Sequence, residues 1–287
     1  MPAVDRLCLI GVGLIGGSLA LALKQAGEVG SVIGVGRGAA NLEEALRIGI
    51  IDEASHDPAS AVEGADMVVL AVPVGATGRV CEQIRDHLDA EAVLTDVGSV
   101  KGDVVAQVSA AFGGVPANFV PGHPIAGTEK SGASAAFPTL YHDRRVLLTP
   151  LPETRPEALA RVRRVWEIAG AEVETMDVAH HDAVLAATSH LPHMLAFGLV
   201  DSLARREDSG EIFRYAAGGF RDFTRIASSD PVMWRDICLH NRQALLDAMA
   251  RFEMEMAELR QAIENGDADT LAEIFSRAKA ARDDFAR

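Results

Sequence analysis

Short apolar runs separated by amphipathic stretches fill the first 176 residues of the chain. Five of these runs have the length of buried strands and end near glycine, proline or a polar residue; they cover residues 6–10, 31–35, 65–73, 92–97 and 118–120. Helices are predicted between them at about 18–26, 75–88 and 100–111. Strands that alternate with helices in this way predict a parallel, doubly wound α/β sheet.

The hydrophobic pattern changes after Asp177. Two further strand patterns, at 146–149 and 171–176, flank a helix predicted at about 155–169. Beyond them, apolar residues recur at helical spacing to the end of the chain. We therefore predict an α/β domain over residues 1–176 and an all-helical domain over residues 177–287.

The longest predicted helix covers about residues 231–264 and would span roughly 50 Å. Apolar residues recur along it at spacings of four and three, as in packed helices: Leu245, Met249, Phe252, Met256, Leu259 and Ile263. A last amphipathic helix follows Gly266. The length of this seam favours a dimer, although the same side chains could pack within one chain.

Composition limits the possible partners and compartment. The 287 residues (30.4 kDa) suffice for two domains, and the net charge of −14 argues against nucleic acid or an anionic membrane as partner. Cys8, Cys81 and Cys238 form no C-x-x-C pair, which is typical of a reducing cytoplasm. With no signal peptide and no apolar run of transmembrane length found, we expect a cytoplasmic protein.

A glycine motif follows the first predicted strand. Gly11, Gly13 and Gly16 form G-x-G-x-x-G at the start of a helix. There the first glycine permits a tight turn, the second lets a pyrophosphate approach the backbone, and the third lets helix and strand pack closely. We predict a Rossmann-type domain that binds NAD or NADP, with Leu14 and Ile15 also in contact with the cofactor.

The end of the second strand bears on which dinucleotide binds. NAD-specific domains place an acidic residue there for the ribose 2′-OH, whereas this chain has Gly36 followed by Arg37. The missing carboxylate and a possible pairing of Arg37 with a 2′-phosphate favour NADP; alternatively, Arg37 stacks on adenine. Val72 and Pro73, at the end of the third strand, are also predicted to line the cofactor site.

Ser99 and His123 follow strands whose ends should face the ligand crevice. His123 lies between a glycine, which permits unusual backbone angles, and a proline, which favours extended geometry before it. We expect it in a loop, outside any ordinary helix or strand. The alternatives are a helix N-cap for Ser99 and a purely structural imidazole for His123. Lys101 is expected to be a solvated first-turn residue.

The helical half adds a group of histidines, among them His180, His181, His190 and His193. They lack an H-x-x-x-H pair with a nearby Glu, so we predict no metal site. Instead, Pro192 should kink the helix and turn Ser189 and His193 into a pocket.

Arg225 is the candidate anion clamp of this half. It lies between apolar neighbours in a segment bounded by a glycine pair and by Asp230-Pro231. Such an arginine either pairs with a structural carboxylate, for which Asp222 is close, or holds an anionic ligand.

Five stretches together resemble the prephenate/arogenate dehydrogenase family. They are the glycine motif, residues 96–101, the GHPIAGTEKSG stretch at 122–132, residues 189–193, and GGFRDFTRIASSDP at 218–231. The resemblance covers essentially the whole chain and implies a Rossmann-type domain followed by an all-α dimerisation domain. The implied reaction is oxidative decarboxylation of prephenate or arogenate with hydride transfer to NAD(P), giving 4-hydroxyphenylpyruvate or tyrosine. The sequence stops at Arg287, so we expect no regulatory ACT domain.

The resemblance also implies roles for single residues. His123 would take the proton of the substrate's ring hydroxyl, with Ser99 hydrogen-bonded nearby. Further substrate contacts are implied for Arg225 with a carboxylate, Ser189 and His193 in the pocket, Glu129 and Asp222 as acidic neighbours, and Trp234 close to the site across the dimer.

Two other classes of protein share parts of this pattern. A β-hydroxyacid dehydrogenase would carry its catalytic lysine in a G-x-x-x-x-x-K helix, which we do not find. A non-catalytic NADP-binding sensor would keep the glycine loop and lose the pocket, whereas this chain retains His123, Ser99 and Arg225 together. Prephenate and arogenate differ by a keto group versus an ammonium, and the sequence does not choose between them.

Overall fold

The first 175 residues form two sheets with helices between their strands. The computed structural model describes residues 2–128 and 130–285. Six parallel strands form the larger sheet in the order β3-β2-β1-β4-β5-β6: β1 (Val4–Ile10), β2 (Val29–Val35), β3 (Glu53–Ser55), β4 (Met67–Leu70), β5 (Val93–Asp96) and β6 (Phe119–Val120). This confirms the predicted parallel sheet. The order reverses between β1 and β4, which is where an open α/β sheet holds its ligand.

Helices cover both faces of this sheet. β4 and β5 are buried at every position, because each face packs against helices and needs apolar side chains. The helices of this half are α1 (Leu14–Gln25), α2 (Ala39–Arg47), α3 (Pro58–Val62), α4 (Thr77–Ile84), α5 (Lys101–Phe112) and α6 (Pro156–Ile168). The elements α2, β3 and α3 were not predicted; two of them are too short to show a period.

A second sheet of three strands corrects the expectation for His123. It has the order β7-β8-β9, with β7 (Gly122–Pro124) antiparallel to β8 (Arg145–Leu148), and β9 (Glu172–Thr175) parallel to β8. His123 therefore lies in a strand, opposite Leu147, and not in a loop. The extended geometry that the following proline imposes is strand geometry, and β7 is an edge strand, where proline is tolerated.

The remaining described chain is helical, which confirms the predicted fold class. It contains α7 (Val178–Leu185), α8 (Leu191–Ala204), α9 (Ser209–Arg214), α10 (Gly218–Thr224), α11 (Pro231–His240), α12 (Arg242–Asn265) and α13 (Ala268–Phe285). A π-helical turn, Ala186–His190, separates α7 from α8 just before Pro192, where an interruption was expected. The division between residues 176 and 177 stays a prediction.

One helical stretch, Val178–Ala204, is long and apolar enough to cross a membrane by length and composition, with a mean hydropathy of 1.4 in its most apolar window. The expectation that no apolar run reaches this length is therefore wrong. Core helices of globular proteins pass the same test, so the finding is weak evidence for a membrane span. This stretch packs against α5 and α12.

The predicted long helix is two helices. It breaks at Asn241, between α11 and α12, so the expected single helix over 231–264 is wrong. Asn241 is buried, and its side-chain amide donates to the Asp182 carbonyl (2.9 Å) and contacts His190 Nδ1 (3.0 Å). The seam of α12 is covered at Leu245, but Met256 and Ile263 are 46% and 66% exposed.

Candidate active site

The glycine loop has room for a dinucleotide at the predicted position. Gly11 has φ +101°, and a Cβ there would lie 2.1 Å from the Ala71 carbonyl oxygen. A Cβ on Gly16 would lie 2.6 Å from a methyl carbon of Leu9, whereas one on Gly13 would meet no described atom within 4 Å. The first and third glycines are therefore needed for internal packing, and the space before the second is open to a ligand.

The first turn of α1 can supply the donors that a pyrophosphate needs. α1 begins at Leu14 after Gly13, a residue with no side chain to cap the free N–H groups of the first turn. Tyr141 donates its hydroxyl hydrogen to the Ile15 carbonyl oxygen and so holds this turn from behind. The arrangement fits an anion at the helix N-terminus.

Asn41 is a residue of this region that the sequence did not single out. Its side-chain nitrogen donates to the Val12 carbonyl (2.7 Å), and its oxygen accepts from the Ala133 N–H (2.9 Å). It thereby ties the glycine loop to the segment that follows His123. An asparagine in the first turn of a helix carries no pattern that would indicate this contact.

The end of β2 leaves the cofactor preference open. Arg37 is exposed and makes no hydrogen bond or ion pair with the residues that the structure describes. The Gly36 N–H donates to the Ser55 carbonyl at 3.2 Å, and a Cβ on Gly36 would come within 3.2 Å of Leu42. The guanidinium is therefore free to meet a phosphate or an adenine ring.

The ends of β4 and β5 lie beside the glycine loop. Val72 is half-buried and Pro73 exposed, next to the Ala71 carbonyl that Gly11 contacts. Ser99, half-buried, follows β5 by three residues. Ser99 is not the N-cap of α5, as one alternative held, because that position belongs to Val100.

Lys101 is fully buried, which overturns the expectation of a solvated side chain. Its Nζ pairs with the Asp96 carboxylate and donates to the Gly122 carbonyl at 2.6 Å. The first turn of α5 lies directly over the end of β5, so the side chain points inward. Burial lowers the pKa of Lys101, while the charge of Asp96 opposes that shift. The pair anchors the residue just before His123.

His123 is a buried imidazole with a polar partner. It is 8% exposed, and its Nδ1 lies 2.9 Å from His181 Nε2. Burial first, and then the charges of His181, Lys101 and His190, hold the pKa of His123 well below its usual value. At neutral pH the ring is therefore uncharged and able to accept a proton.

The pocket residues of the helical half pack on one another. His193 Nδ1 donates to the Ser189 carbonyl (2.8 Å), and the ring stacks on Trp234 with centroids 3.6 Å apart. Burial lowers the pKa of His193, the hydrogen bond to Ser189 opposes the shift, and the charge of Arg225 adds to it. Trp234, expected across the dimer, lies against His193 of its own chain.

Arg225 and Asp222 are both exposed. Arg225 begins a 3₁₀ turn, Arg225–Ser228, and no ion pair joins it to Asp222 or to any other carboxylate among the described residues. The structural alternative for Arg225 therefore finds no carboxylate partner within the described chain, where the guanidinium is available to a ligand. Glu129, the remaining predicted contact, lies outside the described residues.

Two residues beside His123 were missed as candidates. His181 is 0% exposed and contacts His123, and Asp182 accepts hydrogen bonds from the Lys101 and Gly102 N–H groups at 2.8 Å each. His181 was considered only among the histidines of a possible metal site, and Asp182 was not considered. Within the described chain, no group of three or more His, Cys, Asp or Glu residues could hold a metal ion.

These features define a class of protein before any comparison. A ligand-ready glycine loop, parallel strand ends and a neutral buried histidine at the same edge make a Rossmann-type oxidoreductase that uses a nicotinamide dinucleotide.

Comparisons with known proteins identify the family. The model "Prephenate dehydrogenase, nucleotide-binding domain" matches residues 19–175, and "Prephenate dehydrogenase, dimerization domain" matches residues 177–277. The chain belongs to the prephenate dehydrogenase family. This confirms the resemblance seen in its motifs.

Relatives of several organisms align over nearly the whole chain. Cyclohexadienyl dehydrogenase of Zymomonas mobilis is 38% identical over 98% of this chain and 96% of its own. The crystal structure of Aquifex aeolicus prephenate dehydrogenase in complex with hydroxyphenyl propionate and NAD+ is 38% identical, covers 98% of both chains and has a TM-score of 0.92. Synechocystis arogenate dehydrogenase is 30% identical, with coverage of 98% and 99% and a TM-score of 0.83.

Proposed function

We propose that this protein catalyses the oxidative decarboxylation of prephenate or arogenate, with hydride transfer to NAD(P). The observation that carries the proposal is His123, a neutral buried base at the sheet edge that also presents the glycine loop. The family assignment supports it, because relatives that act on these substrates match the chain almost end to end.

His123 performs the proton transfer in this proposal. Its free ring nitrogen takes the proton of the substrate's ring hydroxyl while hydride leaves the ring carbon that carries this hydroxyl. Ser99 holds the hydroxyl in place by a hydrogen bond. A nicotinamide dinucleotide held at the glycine loop would supply the hydride acceptor. The bond between the ring and its carboxylate then breaks, CO₂ departs, and the electron pair of that bond completes the aromatic ring. His123 returns the proton to the phenolic oxygen.

The helical half supplies the substrate contacts. Arg225, exposed and without a partner among the described residues, pairs with a substrate carboxylate. Ser189, His193 and Trp234 form the wall next to it, since His193 contacts both of the others. Asp222 and Glu129 complete the set as acidic neighbours.

Three finer features belong to the same proposal. Gly36 and Arg37 favour NADP over NAD. The exposed seam of α12 pairs with a second copy to give a homodimer. The chain divides at residues 176 and 177 into the dinucleotide-binding and helical domains, and works in the cytoplasm.

Steady-state kinetics with prephenate and arogenate, each with NAD and NADP, test the proposal. One equivalent each of reduced cofactor and CO₂ should form per turnover. His123→Gln should lower kcat by about 10²- to 10⁴-fold, the usual contribution of positioned proton transfer, and leave cofactor affinity unchanged. His87→Gln, at an exposed histidine paired with Glu63, is the control. Cofactor binding without turnover of either substrate would refute the proposal and favour the sensor.

A further inference from the structure

Two side chains of α7, His181 and Asp182, lie next to one another beside His123. Asp182 receives three donors: the Lys101 and Gly102 N–H groups (2.8 Å each) and Nδ1 of His181 (2.8 Å). His181 lies between this carboxylate and His123 and is completely buried. The three side chains form a line from Asp182 through His181 to His123.

The protonation pattern along this line follows from what each group can donate. Burial disfavours the charged form of Asp182, but hydrogen bonds from His181 and the two backbone N–H groups outweigh it and lower the pKa of the carboxyl. An ionised carboxylate only accepts hydrogen bonds, so His181 carries a hydrogen on Nδ1. A neutral His181 then has a lone pair on Nε2.

That lone pair decides the state of His123. His181 Nε2 lies 2.9 Å from His123 Nδ1, so His123 donates its Nδ1 hydrogen to it. The other ring nitrogen of His123, Nε2, is left with a lone pair. Without the carboxylate, His181 could carry its hydrogen on Nε2, and His123 would then hold its own hydrogen on the nitrogen that must accept one.

We propose that His181 and Asp182 are positioning residues that fix His123 with its hydrogen on Nδ1 and its lone pair on Nε2. The same contacts stabilise the imidazolium that forms when His123 takes the substrate proton. The inference rests on the proposed role of His123 as the base. It assigns the pair no contact with substrate or cofactor.

A purely structural role is the alternative, because the Asp182 carboxylate also caps α5 and its backbone carbonyl accepts a hydrogen bond from Asn241. The charged and titratable groups around His123 are Lys101 from α5, paired with Asp96, and His181 and His190 from the helical half. A test must therefore report on the hydrogen of His123 and on kcat, as well as on stability.

The first experiment compares Asp182→Asn with Asp177→Asn in the full-length protein. An amide at residue 182 can donate to His181 Nδ1, which would reverse the hydrogen positions along the line. Asp177 caps the N-terminus of the same helix through the His180 N–H and is outside the line. Asp182→Asn should lower kcat by on the order of 10²-fold, since presenting the wrong tautomer costs about 10⁴-fold in a Ser-His-Asp triad. KM and cofactor affinity should stay near those of Asp177→Asn.

Nitrogen NMR of histidine-labelled protein reads the hydrogen directly. The His123 signals are assigned by their loss in His123→Gln. In wild-type protein, Nδ1 of His123 should carry the hydrogen and Nε2 should not. In Asp182→Asn the pattern should invert or mix. A wild-type His123 with its hydrogen on Nε2 would overturn the proposal, whatever the variants do.

A second pair of variants covers the case in which Asp182→Asn fails to fold. His181→Gln can still offer an oxygen to the His123 Nδ1 hydrogen, whereas His181→Leu is of similar size and offers nothing. We expect His181→Gln to retain clearly more kcat than His181→Leu at equal thermal stability. Equal kcat in the two would overturn the proposal. If wild-type protein turns over neither substrate, the proposed function fails; if His123→Gln keeps full kcat, the role of His123 as the base fails; if only the variants at 181 and 182 keep full kcat, this inference alone fails.

Discussion

The two halves of the molecule differ in how they cover their apolar side chains. The sheet half buries β1, β4 and β5 almost completely between its own helices. In the helical half, α8 buries Ala196 alone among its described residues, and α12 buries Leu245 and Ala262. Met256, Ile263 and Phe275 are each at least 46% exposed. The sheet half covers its apolar side chains within one chain, whereas the helical half leaves several large apolar side chains exposed.

Among the residues that the helical half does bury are three polar side chains near the site. His181, His190 and Asn241 are each at most 4% exposed and connect to one another or to Asp182. His123 is thus held from both sides, by Lys101 from the sheet half and by His181 from the helical half. The difference between the halves locates the site at their junction.

The largest expected effect is on stability, at the buried ion pair of the sheet half. Lys101→Met leaves the Asp96 carboxylate without its cation, and breaking one member of a buried pair costs about 3–5 kcal/mol of unfolding free energy. Lys24→Met, at the partly exposed pair with Asp52, should cost less than about 1 kcal/mol. Urea denaturation measures both, and equal losses would contradict the comparison.

Arg225→Ala probes the open side of the pocket. Removing one partner of a charge pair that the substrate desolvates costs about 2–5 kcal/mol, so the substrate KM should rise at least about tenfold. Cofactor affinity and Tm should not change, because Arg225 is exposed. Arg221→Ala, on the preceding turn, should behave as wild type. A fall in Tm with an unchanged KM would contradict the assigned role.

The cofactor preference should follow from residues 36 and 37. A charge-assisted hydrogen bond from Arg37 to a 2′-phosphate is worth about 1.5–3 kcal/mol, so kcat/KM should favour NADP by about tenfold or more. Gly36→Asp combined with Arg37→Ala should shift the preference to NAD, with Leu42 yielding a few tenths of an ångström. A wild-type preference for NAD would contradict this prediction.

The seam of α12 should tolerate a charge least where a second copy covers it. Met256→Asp places an unpaired charge in the proposed interface at a cost of at least about 1–3 kcal/mol. The dimer of this variant should therefore dissociate at a higher protein concentration than the wild-type dimer. Met254→Asp, off the seam on the same helix, is the control. Sedimentation equilibrium measures both; identical dissociation constants would rule out the seam as the interface.

The sequence predicted the sheet half well because its apolar runs are unbroken and its glycine motif follows a strand directly. The period-based reasoning failed at His123, where Pro124 favours a strand that is only three residues long. It also failed at Asn241, since a residue of ordinary helix propensity breaks the long helix through contacts with Asp182 and His190.

The site was predicted in part. The glycine loop and His123 could be proposed as site residues because the chemistry expected of them depends on local sequence. Lys101 and Asp182 could not, since their contacts join residues 5 and about 80 positions apart across different elements. Whether a first-turn lysine faces solvent or a carboxylate depends on packing that no local pattern encodes.

The pH dependence of kcat/KM tests most directly the claim that both halves hold His123 as a neutral base. Burial, the largest cause, lowers the pKa of His123, so the base stays unprotonated, and activity is retained, as the pH falls through the usual histidine range. The acid limb should therefore lie below about 6.5 and stay in place in His193→Gln, which removes the other pocket imidazole. An acid limb at or above about 6.5 in wild-type enzyme, or one that moves with His193, would contradict the account.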